Sequence, residues 1–140
     1  MKSFYIIGSL RNPEVPIFAN KLRAIGYEAV DAWYSSGPRA DDHWQEHSNL
    51  RGQTFKEALA DHAAQNVFKF DKRLIDKSDA VVLLLPAGKS GHLELGYAIG
   101  TGKPGYIIFD AVPERYDVMY NFATDLFFSQ EELFDYLKEK

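Results

Sequence analysis

The sequence predicts an α/β chain: a three-layer α/β/α sandwich built on a five-stranded parallel sheet. Three observations carry that expectation. Short β-type runs alternate with helical patterns along the chain, the pattern of parallel strands joined by crossover helices. Two of those runs, "FYIIG" (residues 4–8) and "DAVVLLLP" (79–86), are apolar throughout, as strands covered on both faces are. Finally, 140 residues with 46% apolar and 26% charged side chains suit one folded domain spanning 1–140 with a core of its own.

Taken in order, "FYIIG" is the first strand. "NPEVPIFANKLRAIGY" follows as a helix, with Pro13 and Pro16 near its start and Gly26 at its end. "EAVDAWY" (28–34) is the second strand. The loop after it, "WYSSGPRADDHW", carries Gly37, Pro38, Asp41 and Asp42 and reads as an unstructured flap. Residues 50–77 form one helical stretch with Phe55, Leu59, Ala63, Val67, Phe70 and Leu74 close to a single stripe. "DAVVLLLP" is the third strand, "SGHLELGYAIG" the next helix, and "GKPGYIIFD" (102–110) the fourth strand. A short strand in "DLFF" and a terminal helix close the chain, with Ser129 and Glu132 as a capping box. Five strands so arranged fit a flavodoxin-like order, in which ligands bind at the carboxyl ends of the strands. The strand-end loops are therefore where function is sought.

Composition narrows the classes. A net charge of −4 without a long basic block argues against binding a nucleic acid polymer, while leaving room for a local anion pocket. The absence of cysteine excludes a disulfide scaffold, a thiol nucleophile and Cys-based metal sites. The apolar run near the start is too short for a signal peptide, and no stretch approaches the roughly 18 apolar residues of a membrane span. A cytoplasmic protein with no membrane partner is expected. His43, His47, His62 and His92 follow no recognised metal spacing and read as surface residues. GxSxG is absent, and no GxGxxG follows the first strand.

Two strand-end loops carry chemistry. In "PAGKSGHLE", Gly88, Ser90 and Gly91 lie at a helix start, where backbone N–H groups and the dipole favour an anion. Lys89 adds charge and Ser90 a hydroxyl; the plainer reading makes Ser90 only the N-cap. In "GSLRN", Gly8 permits close approach of a ligand, Ser9 offers a hydroxyl, and Arg11 can grip a phosphate with two parallel hydrogen bonds.

Glu94 sits one turn into the helix after strand three. It can serve as a dipole partner, worth about 0.3–1 kcal/mol, or as a carboxylate nucleophile at an anomeric carbon. The second role needs another acid to handle protons. Asp71 in "FKFDKRLIDKSD" is the candidate, unless it is a surface charge paired with neighbouring lysines. Trp33, Trp44 and Phe122 are available to stack on a ligand or to fill the core.

The block "DKSDAVVLLLPAGKSGHLELGYAIGTGKPGYIIF" resembles the centre of the nucleoside 2-deoxyribosyltransferase family and its nucleotide N-glycosidase relatives. The resemblance extends to the "YIIGSLRN" start and a C-terminal "YNF", with "ELGYA" followed by "GKP" its most specific part. It implies that Glu94 is the nucleophile that takes up the deoxyribosyl group and that Asp71 assists protonation of the base. It further implies that Tyr5 or Ser9 contacts the nucleophile or the sugar. Asn121 matches a segment that reaches a neighbouring subunit's site, so a homo-oligomer, dimer or larger, is implied. The substrate implied is a small nucleoside or nucleotide, and the mechanism requires no metal or organic cofactor.

One departure bears on the substrate. Family transferases place an aspartate six residues before the nucleophile, where it binds the sugar 5′-hydroxyl; here that position is Gly88. A carboxylate repels a 5′-phosphate, whereas Lys89, Ser90 and helix N–H groups attract one. Transfer of the sugar to another base, hydrolysis of a 5′-monophosphate, and non-catalytic nucleotide binding are the three readings that follow.

Overall fold

The computed structural model describes residues 2–140. Its sheet has five parallel strands in the order β2-β1-β3-β4-β5, comprising β1 (Ser3–Ile7), β2 (Glu28–Val30), β3 (Ala80–Leu84), β4 (Gly105–Ile108) and β5 (Asp125–Phe127). This is the flavodoxin-like order, and its switch point falls between β1 and β3, which pair from Phe4–Ala80 to Ile7–Leu83.

Alternate residues of the central strands feed two cores, as the period of two requires. Phe4, Ile6, Val82, Leu84, Tyr106 and Ile108 pack under α1 (Glu14–Ala24) and α6 (Gln130–Lys138). Tyr5, Ile7, Val81, Leu83 and Ile107 pack on the other face, under α4 (His62–Lys77) and α5 (Lys89–Gly100). Every residue of β1, β3 and β4 is buried, which accounts for their unbroken apolar runs.

The region between β2 and β3 departs from expectation. The second strand stops at Val30, and residues 31–50 are not an open flap: a 3-10 turn over Ala32–Ser36 leads into α2 (Ala40–Leu50). The helix expected over 50–77 is broken into α2, α3 (Phe55–Ala60) and α4. Gly52 turns the chain at φ 69°, and Thr54 and Glu57 form a reciprocal capping box that starts α3. Asp61 then caps α4 by accepting from the His62 N–H at 2.7 Å.

The apolar stripe read along this stretch remains largely uncovered: Phe55 is 72% exposed, Val67 62% and Leu59 45%. At the C-terminus Ser129 caps α6 by accepting from the Glu132 N–H, but Glu132 accepts from Phe128 rather than from the cap, so the expected box is half formed. No helix among the described residues is long and apolar enough to cross a membrane.

Candidate active site

Glu94, Tyr5 and Asp71 come from three elements that meet on one face of the sheet. Tyr5 lies in the middle of β1, fully buried, with its side chain in the core beneath α4 and α5. Glu94 occupies the α5 face shared with Gly91 and Ala98, both buried against the strands. The Tyr5 hydroxyl donates to Glu94 Oε2 at 3.2 Å. Asp71 projects from α4 one turn before Ile75, the buried residue of that helix, and is itself half-buried. Among the described residues Asp71 forms no ion pair with Lys72 or Lys77, and Lys72 pairs with Asp76 at 3.0 Å.

The electrostatics of the three are coupled. Burial, and after it the nearby Asp71 charge, push the Glu94 carboxyl up to about 7, against a smaller opposing effect of the Tyr5 hydrogen bond. Burial pushes Asp71 up to about 6. The Tyr5 hydroxyl is raised far above its ordinary range, first by burial and then by the charges of Glu94 and Asp71. It therefore stays a neutral donor at any working pH. Two carboxyls whose ionisations oppose one another hold about one proton between them near neutrality.

The loop after β3 reaches this site from the carboxyl edge. Gly88, not Ser90, is the N-cap of α5, and Lys89 and Ser90 lie in its exposed first turn. Neither side chain engages a hydrogen bond or ion pair among the described residues, so the first-turn N–H groups, Lys89 and Ser90 face outward together. Gly91 acts through its size instead. A Cβ there would meet Leu83, Ile7 and Ala87 at 3.1–3.3 Å, so the glycine lets α5 sit close on the sheet.

The first loop divides in the same way. A Cβ on Gly8 would meet Val15 at 3.0 Å, so protein fills the space expected for a ligand. Ser9 Oγ accepts from the Arg11 N–H at 3.1 Å and does not approach Glu94 in the hydrogen-bond pattern, leaving Tyr5 as the group that does. The Arg11 guanidinium lies 3.7 Å from Asp42 of α2, with both side chains exposed.

Trp33 is largely a core residue, donating its indole N–H to the Ile6 carbonyl at 2.8 Å, and Trp44 meets Phe55 edge to face at 6.4 Å. Asn121 lies in a 3-10 turn, Val118–Phe122, where its amide donates to the Val118 carbonyl. Its neighbours Tyr120 and Phe122 line a groove of about 800 Å³ on the far flank of α5. That groove includes Gly88 and Lys89 but neither Glu94 nor Asp71. Within one chain Asn121 is thus separated from Glu94 by the helix.

His92 does not fit the surface reading given to the four histidines. It is half-buried, with one ring nitrogen 2.9 Å from the Gly88 carbonyl and the other 3.0 Å from the Tyr120 hydroxyl. Twenty-eight residues separate the partners, and no local pattern announces them.

The fold and this trio define the chain as a flavodoxin-like α/β protein with a carboxylate pair at the switch point of its sheet. It is similar to a solved 2-deoxyribosyltransferase from the psychrotolerant bacterium Bacillus psychrosaccharolyticus. The TM-score is 0.61 at 17% identity, over 94% of this chain and 89% of that one. At that identity the likeness is one of fold. No protein-family model and no curated protein sequence matches the chain.

Proposed function

We propose that this chain belongs to the nucleoside 2-deoxyribosyltransferase family and cleaves the N-glycosidic bond of 2′-deoxynucleosides or their 5′-monophosphates. The observation that carries the reading is the buried trio: a carboxylate held by a tyrosine hydroxyl, with a second raised carboxyl beside it, at the strand edge where this fold binds ligands. The shared fold with a 2-deoxyribosyltransferase agrees with it.

In this reading Glu94 attacks C1′ of the sugar as the bond to the base breaks, and the electron pair of that bond leaves with the base. Asp71 gives its proton to the departing base nitrogen. In the free chain, burial keeps the shared proton more on Glu94 than on Asp71. Positive charge developing at C1′ favours the Glu94 anion, and the lone pair of the base draws the proton through Asp71. The Tyr5 hydroxyl steadies the Glu94 anion and orients the oxygen that attacks. The deoxyribosyl–Glu94 ester is then resolved by a second base, whose N–H proton returns to Asp71, and the product is a new nucleoside. Val67 and Phe68, exposed on α4 one turn before Asp71, offer an apolar wall for the base.

A second reading rests on the loop. With Gly88 where a sugar-binding aspartate is expected, and with Lys89, Ser90 and the first-turn N–H groups facing outward, a 5′-monophosphate is accommodated. Water then takes the place of the acceptor base, and the chain acts as a nucleotide N-glycosidase. A homo-oligomer belongs to either reading. Leu50, Phe55, Leu59 and Phe70 are each exposed apolar side chains that a second copy would bury, and Asn121, remote from Glu94 in its own chain, would serve the neighbour's site.

The test is incubation with deoxynucleosides and deoxynucleoside 5′-monophosphates, with and without an acceptor base, beside Glu94→Ala. Exchanged nucleoside supports the transferase, and free base with sugar phosphate supports the hydrolase. Release of no base from any of them contradicts the enzyme reading and leaves a non-catalytic nucleotide-binding module, which would bind these ligands whether or not Glu94 is replaced by Gln.

A further inference from the structure

The segment 110–123, between β4 and β5, is attached to the rest of the chain by one hydrogen bond among the described residues. That bond joins the Tyr120 hydroxyl to His92 of α5 at 3.0 Å. The other hydrogen bonds of the segment are internal: Met119 N–H to Asp117, Tyr120 N–H to the Asp117 carbonyl, Asn121 to Val118, and Ala123 N–H to the Tyr120 carbonyl. The Tyr120 ring also meets Phe109 edge to face at 5.3 Å, so the residue is anchored at both its ring and its hydroxyl.

The other nitrogen of His92 settles the direction of these bonds. Nδ1 lies 2.9 Å from the Gly88 carbonyl, which can only accept, so Nδ1 carries the hydrogen. In the neutral ring Nε2 is then a bare acceptor, and the Tyr120 hydroxyl donates to it. The Gly88 carbonyl also accepts the His92 backbone N–H at 3.3 Å. Held twice from below, that carbonyl points down the helix. The planar trans peptide therefore turns the Lys89 N–H the opposite way, out of the helix end. One side chain thus fixes the peptide at the mouth of the loop and holds the facing segment against it.

We infer that His92 is a positioning residue that, by clasping Tyr120 and the Gly88 carbonyl at once, holds the 110–123 segment against α5 and presets the α5 first turn to receive the 5′ side of the sugar. This rests on the glycosidic-bond reading above for its kinetic consequence, though not for the clasp itself. His92 touches neither Glu94 nor the reacting atoms. Its effect falls on substrate binding rather than on bond breaking.

The test compares the full chain with Tyr120→Phe, His92→Gln, and the double variant. Hydrogen exchange of the backbone amides is followed first, without substrate. Loss of this hydrogen bond is expected to speed exchange across 110–123 by about tenfold, with the amides of β1 and β3 unchanged. KM and kcat are then measured for the 2′-deoxynucleoside 5′-monophosphates of the four common bases. KM is expected to rise about tenfold in Tyr120→Phe with kcat nearly constant, and the double variant is expected to be no worse than the poorer single one. Unchanged exchange in Tyr120→Phe overturns the clasp, and faster exchange with unaltered KM overturns the positioning role. If the unsubstituted chain releases base from none of the four and from none of the matching deoxynucleosides, with or without an acceptor base, the glycosidic-bond reading fails, while the exchange measurement still decides whether the clasp exists.

Discussion

The Tyr5 hydroxyl and the Glu94 carboxylate, 89 residues apart in sequence, meet at 3.2 Å between the first strand and the helix that follows the third. This pairing joins the buried centre of the sheet to its carboxyl edge. Because Tyr5 cannot ionise in that setting, it acts as a fixed donor. Tyr5→Phe should lower kcat by about 10- to 100-fold, the worth of one hydrogen bond to a charged group. It should also move the Glu94 ionisation upward, since the lost bond favoured the anion. A pH–rate profile of the variant checks both, and an unchanged kcat would remove Tyr5 from the chemistry.

The carboxyl pair predicts a bell-shaped pH dependence. With Asp71 at about 6 and Glu94 at about 7, the singly protonated pair is most populated between those values, and activity should peak there. In Asp71→Asn the proton donor is lost, so kcat should fall by about 10²–10⁴ and the alkaline limb should vanish. The single remaining limb should report Glu94 alone, at a pH below about 7, because the Asp71 charge that raises it is gone. Retention of the alkaline limb in Asp71→Asn would contradict the assignment.

Stability should carry the same signature with the opposite sign from an ordinary salt-bridged acid. The Glu94 carboxyl is raised from 4.5 to about 7 in the folded chain. Its stabilising contribution is therefore complete below 4.5 and is lost as the pH rises through about 7. Glu94→Gln, neutral throughout, should be more stable than the parent by about 3 kcal/mol at pH 8 and nearly equal to it at about pH 4.5. Thermal unfolding of both proteins at the two pH values measures this; a gap that does not widen with pH would argue against a buried, raised Glu94.

Gly91 tests the seating of α5. A methyl at this position meets Leu83, Ile7 and Ala87 together, all of them core atoms with little freedom to move. Gly91→Ala should cost about 1–3 kcal/mol in chemical unfolding. It should also weaken catalysis by lifting Glu94 from Tyr5. Full activity with lowered stability would show that the two are not coupled.

How much of the molecule was legible in the sequence depended on whether a residue's role was written locally. The strands β1, β3 and β4 were readable because burial on both faces demands continuous apolar runs. Glu94 and Asp71 stood out as candidates through "ELGYA" and the spacing to Asp79, and the structure sets both on the Tyr5 face of the sheet. The polar helix α2 was not, since "ADDHWQEHSNL" buries only Ser48 and shows no apolar stripe to find. The break between α2, α3 and α4 was written in Gly52, Thr54, Glu57 and Asp61, but the stripe from Phe55 to Leu74 masked it. That stripe is mostly exposed, so it did not report on the core of this chain. The Tyr5–Glu94 and His92–Tyr120 pairs are tertiary contacts, and no sequence spacing encodes them.

The central claim is that Glu94 becomes covalently attached to the sugar. It is tested most directly by rapid acid quenching of the chain mixed with deoxynucleosides or their 5′-monophosphates, followed by digestion and mass spectrometry of the peptide carrying Glu94. A deoxyribosyl or phosphodeoxyribosyl adduct on Glu94, absent in Glu94→Gln and removed by an acceptor base or by water, is the predicted result. Base release without any adduct, at a rate unaffected by Glu94→Gln, would contradict it.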